Sequence, residues 1–270
     1  MKICRLQYQL RCGARGDSNA PSPRCRALPF ATRGPGLAGT VKVVALLAIA
    51  LAAVPLARGA NTNAPHTRPL PPEYRLGSDG SVTLRICFNS SCARTQVVTF
   101  TAADMGRVSA QLALCPSAEL YARLQRIRIG VWQMGMLAQK YLPMLANDRE
   151  VNDREYGVEG RTDCVDNASN TTTYLQILAD FGQLPAWTIE APGVRSRFDI
   201  NAVHWTAVVS DQATDEKWAV DSWFRPNGNL PFVVPLTSWK ASQKGWEAPF
   251  DVLNPNPRYS NELCARKVPE

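Results

Sequence analysis

Asp163-Cys164-Val165-Asp166-Asn167-Ala168-Ser169-Asn170-Thr171-Thr172-Thr173-Tyr174-Leu175-Gln176-Ile177-Leu178-Ala179-Asp180-Phe181-Gly182-Gln183-Leu184-Pro185 is the stretch on which the fold turns. Asp163 has the short acceptor side chain of a helix N-cap, Leu175 and Leu178 carry the apolar face, and Gly182 stands where such a helix closes. Cys164 then falls in the first turn. There the orphan backbone N–H groups and the helix dipole favour negative charge, and a thiol is a useful nucleophile only as thiolate. Cys164 is therefore the candidate nucleophile.

Downstream the pattern changes from helical spacing to short apolar, β-branched runs: 186–189, 203–209, 217–222 and 232–234, with Asn227-Gly228 as a turn signal. Helices followed by antiparallel strands predict an α+β domain whose helical layer lies against one sheet. His204, in His204-Trp205-Thr206-Ala207, falls on one of these strands, and Asp221, in Val220-Asp221-Ser222-Trp223, on the next. The chain has only two histidines. The other, His66, lies in a Pro-rich stretch, so an imidazole doing chemistry here is His204. An imidazole facing a helix start can hold a thiolate as an ion pair and later protonate a leaving group. A carboxylate on the neighbouring strand can orient that ring, so Asp221 completes the candidate catalytic set of Cys164, His204 and Asp221, with the last two expected side by side.

Upstream, Val82, Leu84, Ile86 and Phe88 alternate with polar residues and a second run follows at 97–101, predicting a hairpin with Cys87 and Cys92 near its turn. The segment from Ser117 to about Tyr141 reads as a long helix stopped by Pro143, with its Met and Trp residues as core. Six of the seven tryptophans lie in the C-terminal part. Trp205 and Trp223 adjoin proposed catalytic residues and, with Asn167 one helical turn beyond the cysteine, are the candidate substrate-binding residues.

The N-terminal segment has a different character. Residues 1–40 carry Gly, Pro, Ser and Arg without apolar periodicity, and read as disordered or as a mis-assigned leader preceding a true start at Val41-Lys42. Residues 41–59 have the basic, apolar and small-residue order of a bacterial signal peptide, and the run Val43–Ala57 is shorter than the about 20 residues a membrane span needs. Residues 60–75 read as a linker, and residues 76–270 as a single domain. The chain's net charge is +7, but residues 1–59 contribute +8, leaving −1 for the remainder. A nucleic-acid partner is thereby disfavoured. The expected location is periplasmic or secreted, with no stable membrane insertion after signal cleavage. Beyond the signal stand Cys87, Cys92, Cys115, Cys164 and Cys264, an odd number in an exported chain, which suggests two disulfides and one thiol. Four cysteines allow three pairings. Cys87 with Cys92 and Cys115 with Cys264 is the expected one.

A Cys at a helix start, a Leu-containing helix ending in Gly182-Gln183-Leu184-Pro185, a His-Trp strand and the strand Trp218-Ala219-Val220-Asp221 together resemble the transglutaminase-like branch of the papain-like cysteine hydrolases. The Asp-Cys-x-Asp start is similar to bacterial transglutaminase-like periplasmic cysteine proteases that clip surface adhesins. The resemblance covers roughly residues 155–240. It implies a nucleophile helix packed on an antiparallel sheet, and a thiol hydrolase, peptidase or acyltransferase acting on amide bonds of a peptide or protein in the cell envelope. It implies no cofactor. In the adhesin-clipping proteases an acid after the cysteine helps hold calcium, whereas this chain has Val165 there; the run 167–173 is also more polar than the family helix. No metal ligand is assigned: one histidine and one thiol leave too few ligands for zinc, and calcium stays open as the one ion the resemblance suggests. Alternatives on the same fold are a catalytically inactive exported binding domain and a cell-wall peptide amidase.

Overall fold

Sheet and helix alternate in two bouts in the computed structural model, which describes residues 61–62, 67–115, 119–149, 158–196 and 203–241. Strands β1 (Asn61–Thr62), β2 (Tyr74–Leu76), β3 (Val82–Phe88) and β4 (Arg94–Phe100) come first. Helices α1 (Ala102–Leu112), α2 (Leu120–Tyr141) and α3 (Cys164–Asp180) follow. Strands β5 (Trp187–Ser196), β6 (Val203–Asp211), β7 (Lys217–Asp221) and β8 (Phe232–Pro235) and helix α4 (Leu236–Ala241) complete the order. The strands form two four-stranded antiparallel sheets, β1-β4-β3-β2 and β5-β6-β7-β8. The fold class is α+β.

The expected hairpin is the centre of the first sheet, with Val82 opposite Phe100 and Phe88 opposite Arg94. Its alternation buries Val82, Leu84 and Ile86 on one face. The turn is unusual: Asn89, Ser90, Ser91 and Cys92 all have positive φ, between 51° and 64°. Non-glycine residues occupy that region at a steric cost, so the turn must be held by its surroundings. A Cys87–Cys92 disulfide closes it, Asn89 N–H donates to the Arg161 carbonyl, and Gly160 N–H donates to Asn89 Oδ1. The stretch expected to be a linker is instead partly paired. Asn61 and Thr62 pair with β4, and Tyr74–Leu76 pairs with β3, because both flanks of the hairpin offer unsatisfied backbone groups.

Helix α1, unforeseen in the sequence, starts at a capping box in which the Thr101 hydroxyl and the Asp104 carboxylate each accept from the other's backbone N–H. Helix α2 ends as expected before Pro143. Helix α3 is not confined to one sheet. It packs on β3 of the first sheet and on β5 and β6 of the second, while α2 lies against it on a third side. Gly130 permits that approach, since a Cβ there would stand 2.7 Å from Leu178 Cδ1. Leu84, Phe100, Ile127, Leu175, Leu178, Val209 and Val220 meet in one continuous core from all these layers. Its burial is the main driving force for the arrangement.

Strand β5 runs further than its apolar start suggested, because the edge strand takes Pro192 at a bulge between Glu190 and Gly193 where no ladder N–H is required. Cys115 is disulfide-bonded, while Cys264 lies outside the described residues. So do residues 1–60, including the expected signal segment. Among the described residues no helix is long and apolar enough to cross a membrane.

Candidate functional site

The start of α3 is fixed by two acids. Asp163 Oδ1 accepts from the N–H groups of Val165 (2.9 Å) and Asp166 (3.0 Å), and Asp166 Oδ2 accepts from Asp163 N–H at 3.0 Å. This capping box makes Cys164 the first helical residue, as its sequence position suggested. The hairpin turn supplies the remaining donors: Ser91 Oγ bonds Asp163 Oδ2 at 2.7 Å, and Cys92 N–H bonds Asp166 Oδ1 at 2.5 Å. Burial and the neighbouring Asp163 nevertheless push the Asp166 carboxyl well above the usual carboxylate range. Cys164 is 0% exposed and is not disulfide-bonded. Its Sγ lies 3.8 Å from the carbonyl oxygen of Val203, the residue before His204.

His204 and Asp221 meet across β6 and β7. The register pairs Ala207 with Val220, and continuing it by one step sets Thr206, not His204, opposite Asp221. The two residues are therefore diagonal rather than side by side, a separation long polar side chains can span. His204 Nε2 bonds Asp221 Oδ2 at 2.7 Å, and the two residues are 8% and 2% exposed. Since a carboxylate only accepts, Nε2 is the donor in this bond. Nδ1 is buried and makes no hydrogen bond among the described residues. Asp221 has two further donors: Trp239 Nε1 to Oδ2 at 2.9 Å, and the Trp223 N–H to Oδ1 at 3.3 Å. Three aromatic rings, Trp223, Phe224 and Trp239, surround the imidazole with centroids 5.0, 4.9 and 5.3 Å away.

Cys164, Val165, Trp223, Phe224 and the Cys87–Cys92 disulfide form one apolar cluster against which Trp205 and Phe232 pack. Trp205 and Trp223 thus lie in the surroundings of the thiol. The indole N–H of each is buried without a hydrogen-bond partner among the described residues. Asn167 is differently placed. Its Nδ2 donates to Thr162 Oγ1 (2.7 Å) and to the Asp163 carbonyl (3.0 Å), and its Oδ1 accepts from Ser222 Oγ at 2.8 Å. Ser222 Oγ also pairs with Thr171 Oγ1 at 2.9 Å. Asn167 is therefore a strut from α3 to the residue after Asp221, with its polar atoms already engaged. The cavity beside it, lined by Asn167, Thr171, Ser222, Trp132 and Arg225, has a volume of about 50 Å³, room for a water or two.

These contacts account for the polar run on α3. Asn170 exchanges two 2.8 Å bonds with the backbone of Cys87, and the Ser169 hydroxyl accepts from Leu70 N–H at 2.9 Å. Thr172 and Thr173 bond back to carbonyls four residues earlier. Sequence reasoning missed Trp239, which bonds Asp221 and faces the imidazole, and Arg195, the cross-strand partner of His204 whose guanidinium lies over the Trp239 ring; nothing in the local pattern of Leu236–Ala241 singles out its tryptophan. Cys87, Cys92 and Asp166 bring three ligand-type atoms within 4.8 Å of one another, but the two sulfurs are bonded together. The carboxylate oxygens of Asp148, Asp163 and Asp166 each accept from a protein donor. No protein-family model, curated protein or solved structure matches the chain.

Proposed function

We propose that the chain is an exported thiol hydrolase or acyltransferase of transglutaminase-like, papain-like type, acting on amide bonds of envelope peptides or proteins. The observation that carries this reading is the buried 2.7 Å bond from His204 Nε2 to Asp221 Oδ2, with the unbonded Nδ1 on the strand whose start Cys164 Sγ contacts. Cys164 Sγ makes no hydrogen bond to Nδ1 in the structure; in this reading substrate binding tightens that approach, the thiol gives its proton to Nδ1, and the sulfur attacks the substrate carbonyl carbon. The C–N bond breaks as the amine takes the proton back from the imidazolium, leaving a thioester. Water, or an acceptor amine, then attacks the thioester with His204 as base, restoring the thiol. Asp221 holds the ring in the required tautomer. The indole N–H groups of Trp205 and Trp223, buried without partners among the described residues and in the cluster around Cys164, are the candidate donors to the oxyanion of the tetrahedral intermediate.

One observation favours a second reading, a non-catalytic binding domain: Cys164 is fully buried, as inert core cysteines are. Acid-quenched mass spectrometry after exposure to p-nitrophenyl acetate separates the two. An enzyme carries an acetyl group on Cys164 and releases p-nitrophenol, loses both in Cys164→Ala, and is slowed about 10²- to 10⁴-fold in His204→Ala. Failure to acylate Cys164 in the folded protein sinks the catalytic reading.

A further inference from the structure

We propose that Trp239 is a positioning residue for the Cys164–His204–Asp221 group, an inference that rests on the catalytic reading above. Asp221 Oδ2 receives two donors at once, His204 Nε2 at 2.7 Å and Trp239 Nε1 at 2.9 Å, so the indole N–H fixes the rotation of the carboxylate that the imidazole needs. The Trp239 ring also covers the imidazole, with centroids 5.3 Å apart. Trp239 is itself buried and held from the opposite strand. The Arg195 guanidinium carbon lies 4.4 Å from its ring centroid, and Arg195 Nη1 donates to the Trp239 carbonyl. Arg195 is the cross-strand partner of His204, so a single rung of the β5–β6 ladder carries both the imidazole and the cation that seats the indole.

The chemistry of this arrangement is specific. Without the indole N–H the carboxylate keeps His204 Nε2 on Oδ2 and only the longer 3.3 Å bond from the Trp223 N–H on Oδ1, so its rotation is held less tightly and water can compete for Oδ2. The ring and its cation close that side of the acid–imidazole pair, and low local polarity strengthens the bond between them. Trp239 packs in a separate apolar cluster from the thiol, with Ala219 and Val234, and its indole N–H is bonded to the orienting carboxylate. Its effect passes entirely through Asp221 and His204.

The test uses the full chain and reads the His204 ring directly, since only two imidazoles are present. In Trp239→Phe, which keeps the ring and removes the N–H, the Nε2 proton resonance of His204 should move upfield and broaden. Alkylation of Cys164 by iodoacetamide at about pH 6.5 should fall about five- to tenfold, the effect of a thiol pKa displaced by about one unit. Arg195→Gln, which retains the indole N–H, should shift both readouts in the same direction by less, and serves if Trp239→Phe does not fold. Wild-type ring resonances and alkylation rates in both folded variants would overturn the role of Trp239 while leaving the triad intact. If His204→Ala itself leaves alkylation unchanged, the catalytic reading has failed instead.

Discussion

Two buried acids in this protein differ in what their donors accomplish. Asp221 collects its donors from the His204 imidazole, the Trp239 indole and the Trp223 backbone N–H, and its replacement by Asn should leave a carbonyl oxygen for Trp239 but upset the His204 tautomer. Acylation of Cys164 by p-nitrophenyl acetate should then slow about 10³- to 10⁴-fold, read as p-nitrophenol release. Asp104 has a structural task. Burial alone would raise its carboxyl, but bonds from Lys140, from the Tyr141 hydroxyl and from the N–H and hydroxyl of Thr101 outweigh it, holding the carboxyl far below the usual carboxylate range. A depressed folded-state pKa contributes stability that is present above the unfolded value of about 4 and lost as pH falls toward the folded one. Asp104→Asn should therefore cost about 2–3 kcal/mol at neutral pH, and the gap from wild type in denaturant titrations should shrink steadily below about pH 4. A gap independent of pH would show that the carboxylate's charge is not what matters.

At the scale of elements, α3 is fastened at two places: to the disulfide-closed turn through Ser91, Cys92 and Asn170, and to the end of β7 through Asn167 and Ser222. Asn170→Ala removes both bonds to the Cys87 backbone and should lower stability by about 1–3 kcal/mol. Reducing the Cys87–Cys92 disulfide should release the left-handed turn and speed amide exchange in the first turn of α3, with α2 unaffected. Equal exchange in both helices, before and after reduction, would argue against a local fastening. Much of this architecture was legible in the chain. The N-cap acid, the His-Trp strand and the Asp strand each carry a short-range signal, and the hairpin's alternation is plain. Thr101-x-x-Asp104 was a readable capping box that the preceding β-branched run obscured. The distant partners of Asn167 and Asn170, Ser222 and Cys87, were not legible, because they lie 55 and 83 residues away in sequence. A polar helix face announces that it has partners, not which ones. The diagonal placement of His204 and Asp221 depended on register, which a turn of unknown geometry does not fix.

At the scale of the molecule, α3 stands between two antiparallel sheets, with its N-terminal turn gathered among the disulfide, the aromatic cluster and the strand bearing His204. The acids at that turn are capped by the first sheet, while the imidazole and its carboxylate come from the second. The site therefore exists only when both sheets are packed on the helix. The most direct test of this account is the rate of Cys164 alkylation by iodoacetamide as a function of pH, resolved by peptide mapping, in wild type and His204→Ala. The account predicts a thiolate titrating below the ordinary thiol value of about 8.5 and returning toward it when the imidazole is removed. A folded protein in which Cys164 does not label, or labels with the same profile in both proteins, would contradict it.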